Sequence, residues 1–390
     1  MTKQIKRWLS VLLCLTLTFT TSACWDSNEL DKLAIVVGVG IDKAEQDDMI
    51  ELTTQIANVS GSGEKSSSDA KLEYVNVRSV GSDTTYIMRD FVRKLSRRPY
   101  LGHNRLILIS CELASEGIRD YIDLFLRDPE SRYTVKLVLT RNTAFDTMET
   151  KPHFEAFPTV KILSLLENLD MSATSVDVTL FDFLSAIVSV RRSAVAPIIA
   201  LEGATGAEAD NRIFLDGTAV FNEDMMVGEL NLTETRGLLW VRGDVKQSAI
   251  NVATPTGSAV VSSRRSQSSL TPVITDDGKL IMQIDIKVSA VLDSQTGTDN
   301  LADTESIAEL ETLAAEVIKS EISGCLYKAQ ILGEDIFGFA EKIYDHYPSQ
   351  WNEMETNWDH IFRDIETELM VDVAISATGR MVRPARRDEG

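Results

Sequence analysis

Apolar and polar positions along the chain change rhythm repeatedly, and the changes predict a mixture of strands and amphipathic helices. Leu33–Ile41 is a continuous apolar run and reads as a buried strand. In Met49–Ala57, Ile50, Leu52 and Ile56 alternate with polar neighbours, and Tyr74–Val80 is a third strand candidate. Helical spacing follows in Asp83–Ser96, with Ile87, Phe91 and Leu95 on one face. Arg105–Ser110 reads as a strand, Ser115–Arg127 as a helix and Tyr133–Leu139 as a strand. Apolar helices are predicted near Phe157–Leu169 and Val176–Val190, and Ala194–Leu201 returns to extended structure.

A Gly/Ala/Asp-rich stretch at Glu202–Asn211 then marks a boundary. Arg212–Leu230 reads as short strands broken at Asn222-Glu223-Asp224, Thr235–Val241 as a short helix, and Ser258–Ser269 as a solvated strand and turn. Met282, Ile284, Ile286, Val288 and Ala290 alternate with polar residues and give the clearest half-buried strand. Ser306-x-x-Glu309 reads as a capping box opening a long helix whose apolar stripe includes Leu310, Ala314, Val317, Cys325 and Ala329. Helices at Asp335–His346 and Ser349–Ile361 and a strand ending at Ala377 complete the pattern. The expected class is α+β, with β-sheets flanked by helices in three mixed units. Their bounds are 24–201, a small middle unit at 202–275, and 276–380, with a tail at 381–390.

The first 23 residues read as an address rather than as part of the fold. Lys3, Lys6 and Arg7 precede an apolar run from Trp8 to Thr20, too short for a comfortable transmembrane helix. A small residue, Ala23, then stands before Cys24, the arrangement of a bacterial lipoprotein signal, in which the thiol is alkylated by diacylglycerol and becomes the new N-terminus. Thr21 occupies a position where such signals usually carry an aliphatic residue, and Thr21-x-Ala23 would also serve an ordinary signal peptidase. Lipidation at Cys24 would tie an exported body to a membrane without a spanning segment.

Charge narrows the partners. Lys plus Arg is 39 against 59 for Asp plus Glu, a formal net charge of −20, which repels phosphate backbones and argues against nucleic acid. Four cysteines in 390 residues are too few for a disulfide-stapled scaffold.

Candidate chemistry is sparse. Gly38-Val39-Gly40 follows a strand, but Lys43 stands where a dinucleotide fingerprint needs its third glycine, so tight strand packing is the expectation. His103, His153, His346 and His360 form no pair at metal-ligand spacing, and Cys111 and Cys325 are isolated in strand-like and helix-stripe positions. Asp345-His346 and Asp359-His360 resemble acid–base dyads, yet adjacent helical residues point about 100° apart and do not converge. No nucleophile elbow or P-loop occurs, so no catalytic residue, metal or cofactor is assigned. Arg93, Lys94, Arg97 and Arg98 form a dense basic run that reads as a solvated helix end or as a face for anionic lipid headgroups or an acidic partner loop, and the arginines at 380, 383, 386 and 387 allow the same two readings.

CWDSNELDKLAIVVGVGIDK after a lipoprotein-type signal resembles the opening of the Ger(x)C family, the C subunits of nutrient germinant receptors of endospore-forming bacteria. The resemblance continues in RRPYLGHNRLILIS at 97–110, LRDPESRY at 126–133, GTAVFNEDMMVGELNLTETRGLLWVRGD at 217–244 and AQILGEDIFGFAEKIYDHYPSQWNEMETNWDHIF at 329–362. It implies a three-domain α+β lipoprotein without enzyme activity, lipidated at Cys24, on the outer face of the spore inner membrane. It also implies that the protein acts with a multi-spanning A subunit and a transporter-like B subunit in nutrient-triggered germination. No ligand-contact residues transfer. Two other classes compete: a solute-binding lipoprotein delivering a small ligand to a transporter, and a secreted hydrolase using paired carboxylates.

Overall fold

A computed structural model of the chain describes residues 4, 5, 7, 8, 32–46, 48–58, 73–152, 154–203, 212–296 and 304–377. Two sheets organise them, one of nine strands and one of four. The larger sheet starts with an antiparallel meander, β1 (Leu33–Lys43), β2 (Ile50–Asn58) and β3 (Glu73–Gly81). The short β4 (Arg98–Tyr100) pairs parallel to the start of β1. Next to β1, parallel to it and to each other, lie β5 (Leu106–Ser110), β6 (Lys136–Thr140) and β7 (Val195–Glu202). An antiparallel hairpin, β8 (Arg212–Asn222) and β9 (Met225–Leu230), completes the edge beyond β7.

The central strands are apolar on both faces because both faces are covered. Ile107, Ile109, Leu137 and Leu139 pack on one side, against helices α1 (Thr84–Lys94), α3 (Arg119–Arg127) and α6 (Leu180–Val188), the short α2 (Cys111–Ala114) following β5 directly. Leu106, Leu108 and Val138 face the other way, onto α4 (Ala144–Glu149) and α5 (Pro158–Glu167). The Gly38–Gly40 stretch is under this second helix layer: a Cβ at Gly38 would lie 2.3 Å from Thr159 Oγ1, and one at Gly40 would lie 3.0 Å from Ala144 Cβ. These glycines serve close strand–helix packing, as expected. At the end of β1 the buried Asp42 accepts the N–H groups of Ala144 at 2.6 Å and Phe145 at 2.9 Å, anchoring the start of α4.

The chain then forms α7 (Leu232–Arg242), opened by an Asn231–Glu234 capping box. The smaller sheet has the order β10 (Ala249–Thr254), β11 (Gly257–Ile274), β12 (Leu280–Gln295) and β13 (Glu366–Ala377). Its first three strands are antiparallel, whereas β13 runs parallel to β12. The crossover between them is α8 (Thr304–Leu332), α9 (Phe339–His346), α10 (Pro348–Met354) and α11 (Trp358–Asp364). Met282, Ile284, Ile286, Val288 and Ala290 are all buried, and α8 packs on α7, β10 and β13. The α+β class expected from the sequence is the class observed.

Several local expectations are corrected. The helix expected over 115–127 breaks at Gly117, whose φ of +106° ends one helix before another begins, and Cys111 starts α2 instead of continuing a strand. The helix expected from Val176 starts at Leu180, because the Thr179–Asp182 capping box sets its origin while Thr179 bridges to Lys136. Ser306 lies inside α8, which already includes Thr304, so Ser306 is no cap. Ser258–Ser269 contains no turn and is the interior of the 18-residue β11. The helix expected over 349–361 is divided by a 3₁₀ turn at Glu355–Asn357. Apart from these corrections, the strands on either side of 202–211 pair in one sheet, Glu202 opposite Arg212, and positions 275 and 276 fall in the β11–β12 hairpin, Ile274 opposite Leu280. Buried residues of both sheets belong to one contiguous apolar core.

Candidate functional site

The segments 217–244 and 329–362, distant in sequence, meet where the C-terminal helices join the larger sheet. On α7, Gly237 allows α8 to approach so closely that a Cβ there would lie 2.3 Å from the Glu321 carbonyl oxygen. Arg236, just before it, and Trp240, about one turn after it, converge on the buried Glu321 carboxylate. Arg236 Nε and Trp240 Nε1 each donate at 2.9 Å, and Arg236 Nη2 grips the second oxygen. Such bidentate pairing is what a desolvated carboxylate requires.

α8 ends at Leu332, and Gly333, at φ +80°, turns the chain. Arg363 of α11 donates to the last free carbonyls, Ile331 at 2.6 Å and Leu332 at 2.9 Å. The next two residues reach the larger sheet. The Glu334 carboxylate accepts from Ser193 Oγ and Asn222 Nδ2, both at 2.7 Å. The Asp335 carbonyl accepts the Ser193 N–H at 2.9 Å, while its buried carboxylate accepts the N–H groups of Phe337, Gly338, Phe339 and Ala340 at 2.8–3.2 Å. Arg242 Nε donates to the Ile336 carbonyl at 3.0 Å.

Burial sets the electrostatics of this joint. It pushes the Asp335 carboxyl up to about 6 against the opposing effect of its four amide hydrogen bonds. It also lowers Arg242 to about 10, helped by the positive charge of Arg192, and raises Glu334. An open cleft of about 420 Å³ lies beside the joint, between the end of α6, the β8–β9 turn and the 355–359 turn. Two of its lining carboxylates, Glu334 and Asp335, are already satisfied by amides and a hydroxyl, an arrangement that holds two parts of a protein in register.

The remaining sequence candidates are scattered. Cys24 and His153 lie outside the described residues, as do the arginines of the 380–387 tail. Burial raises the Cys325 thiol, and it pushes Cys111 up to about 11, so neither is a thiolate near neutrality. His346 Nδ1 lies 2.9 Å from the Lys342 carbonyl at the end of α9, and His360 is exposed beside Asp359. Among the described residues no three His, Cys, Asp or Glu side chains cluster as metal ligands. In the basic run, Arg93 and Lys94 pair with Asp90, and Arg98 pairs with Glu130 at 2.8 Å. That last bond joins segment 97–110 to segment 126–133.

Glu321, Glu334 and Asp335 were not singled out from the sequence. A signal for Glu321 was present: it interrupts the apolar stripe of α8 between Ile318 and Cys325, where only a paired charge is stable.

The family model described as "Spore germination protein N-terminal domain" matches residues 26–201, and that described as "Spore germination B3/GerAC like, C-terminal" matches residues 216–379. The chain belongs to this family of spore germination proteins, the Ger(x)C family. Among curated relatives, "Putative spore germination protein YfkR" of Bacillus subtilis (strain 168) is 25% identical over 378 residues, covering 95% of this chain and 96% of its own. "Spore germination protein KC" of the same organism is 25% identical over 390 residues, covering 95% and 94%. The crystal structure of the GerBC protein has the same fold, with a TM-score of 0.57 at 18% identity, covering 90% of this chain and 99% of that one.

Proposed function

We propose that this protein is the lipid-anchored, non-catalytic C subunit of a nutrient germinant receptor. In this reading it is tethered through Cys24 to the outer face of the spore inner membrane. It acts there with a multi-spanning A subunit and a transporter-like B subunit. The observation that carries the reading is the match of both germination-protein domains to consecutive parts of the chain, with Cys24 just ahead of the first. The relatives support it by their names, among them "Spore germination protein B3" and "Spore germination protein A3". No helix among the described residues is long and apolar enough to cross a membrane, so attachment by acyl chains or by partner subunits is consistent with the folded body.

Affinity capture of the protein from dormant-spore inner membranes tests the assembly. Co-purification of one multi-spanning and one transporter-like protein is expected, and capture of neither would reject it. Cys24→Ala tests the anchor: the variant should leave the membrane fraction and weaken the response to one nutrient class. Full membrane retention with an unchanged response would reject lipidation at that position.

A further inference from the structure

Helix α6, LFDFLSAIV, is apolar on almost every side: Asp182, its one charged residue, is taken up in the capping box with Thr179. A helix apolar all round belongs in an interior, yet α6 is covered on one side only. Leu180, Phe183 and Ala186 are buried in the core, whereas Phe181 and Val188, two turns apart on the same side, are 60% and 81% exposed. The exposed apolar surface continues to Val190 after the helix and to Tyr133, whose carbonyl accepts the Phe181 N–H at 3.1 Å. We propose that this face of α6 rests on the lipid bilayer, with its apolar side chains in the boundary between headgroups and acyl chains.

Strand register places the face. β1, β5, β6 and β7 run parallel, with Gly38 opposite Leu106, Leu106 opposite Lys136 and Leu139 opposite Ile198, so all four begin at the same end of the sheet. α6 is attached at that end. Thr179, just before it, bridges to Lys136 at the start of β6, and the chain after it leads through Ala194 into the start of β7 at Val195. The chain from Cys24 arrives at this end too, at Leu33. Residues 24–31 separate Cys24 from Lys32, a reach of at most about 30 Å. The inference therefore rests on the anchor proposed above: so short a tether holds the leading end of the sheet against the membrane, and the uncovered apolar face is on that end. The face is one side of a helix rather than a groove, with a tyrosine at its border as at membrane interfaces. At a net charge of −20 the chain is repelled by anionic headgroups, so the contact is apolar and insensitive to salt.

Photo-crosslinking of the full-length protein in native membranes tests the assignment. The photoreactive amino acid p-benzoylphenylalanine is installed at Phe181 or at Val188, and at Met370 of β13, 55% exposed, as the control. All three side chains are exposed, so the core is undisturbed. Light-dependent phospholipid adducts are expected at 181 and 188, not at 370, and equally at low and high salt. A crosslink to another protein instead would make the face a partner-subunit contact, and a crosslink between two copies would make it a dimer interface. Either result would overturn the proposal, as would lipid adducts no more abundant at 181 and 188 than at 370. Cys24→Ala separates this test from that of the anchor. Its release from membranes supports the anchor whatever Phe181 meets, whereas its retention with lipid adducts at Phe181 would reject the anchor and uphold the lipid contact.

Discussion

Arg236 and Glu321 are 85 positions apart in sequence and form a bidentate pair in the interior, on two helices that cross at Gly237. The Trp240 indole completes the arrangement, so one carboxylate satisfies a half-buried guanidinium and a buried indole N–H. Glu321→Ala strands both of them. The expected loss is about 3–5 kcal/mol in equilibrium urea unfolding, the usual result of removing one member of a buried pair. Glu321→Gln keeps an acceptor for Trp240 and should lose less.

In an ordinary exposed helix, Gly→Ala stabilises by about 1 kcal/mol. At Gly237 the sign should reverse. The new methyl would collide with the backbone of α8 at Glu321 and with Cys325 Cβ at 2.8 Å, neither of which is the tip of a flexible side chain. Loss of about 1–3 kcal/mol is expected, from the ordinary cost of overpacking. A thermal melt of Gly237→Ala at or above the parent would show that α7 and α8 separate easily.

Arg363 caps α8 from outside that helix. Arg363→Ala leaves the Ile331 and Leu332 carbonyls without their guanidinium partner and should lower stability by about 1–2 kcal/mol. Arg363→Lys should restore only part of this, because an ammonium does not reproduce the fork that spans two carbonyls. Melting temperatures of the two variants measure the difference.

Asp42 and Asp335 both have carboxyls that burial pushes up to about 6 from an ordinary 3.8. Between those values the folded protein holds more protons than the unfolded chain, so stability falls as pH rises through that window. Each group should contribute about 1 kcal/mol more stability near pH 5 than near pH 7. Arg242 near Asp335, and Glu51 near Asp42, are the charged neighbours that modulate this. Urea midpoints measured across that range should rise on acidification, and Asp42→Asn should flatten the rise. A midpoint that falls steadily from neutral to pH 5 would contradict the assignment.

Most strands were legible because their periodicity reports burial directly: the alternation at 282–290 and the apolar run at 33–41 both became strands where expected. Helix ends were less so, since they depend on single residues. Gly117 breaks a pattern that is otherwise helical, and the Thr179 cap overrides the apolar Val176 and Val178 ahead of it. The polar joint was illegible for another reason. Ser193, Asn222, Glu334 and Asp335 are unremarkable polar residues in sequence, and only the packing of the C-terminal helices on the larger sheet gives them one another as partners.

β1 enters the larger sheet at Leu33 with neighbours on both sides, β2 on one and then β4 and β5 on the other. A pull on the chain ahead of Leu33 therefore acts along this strand and loads its two ladders in shear. Many bonds must yield together, where an edge strand would unzip one bond at a time. Tension arriving from the leading end is thus delivered to the interior of the fold and shared across it.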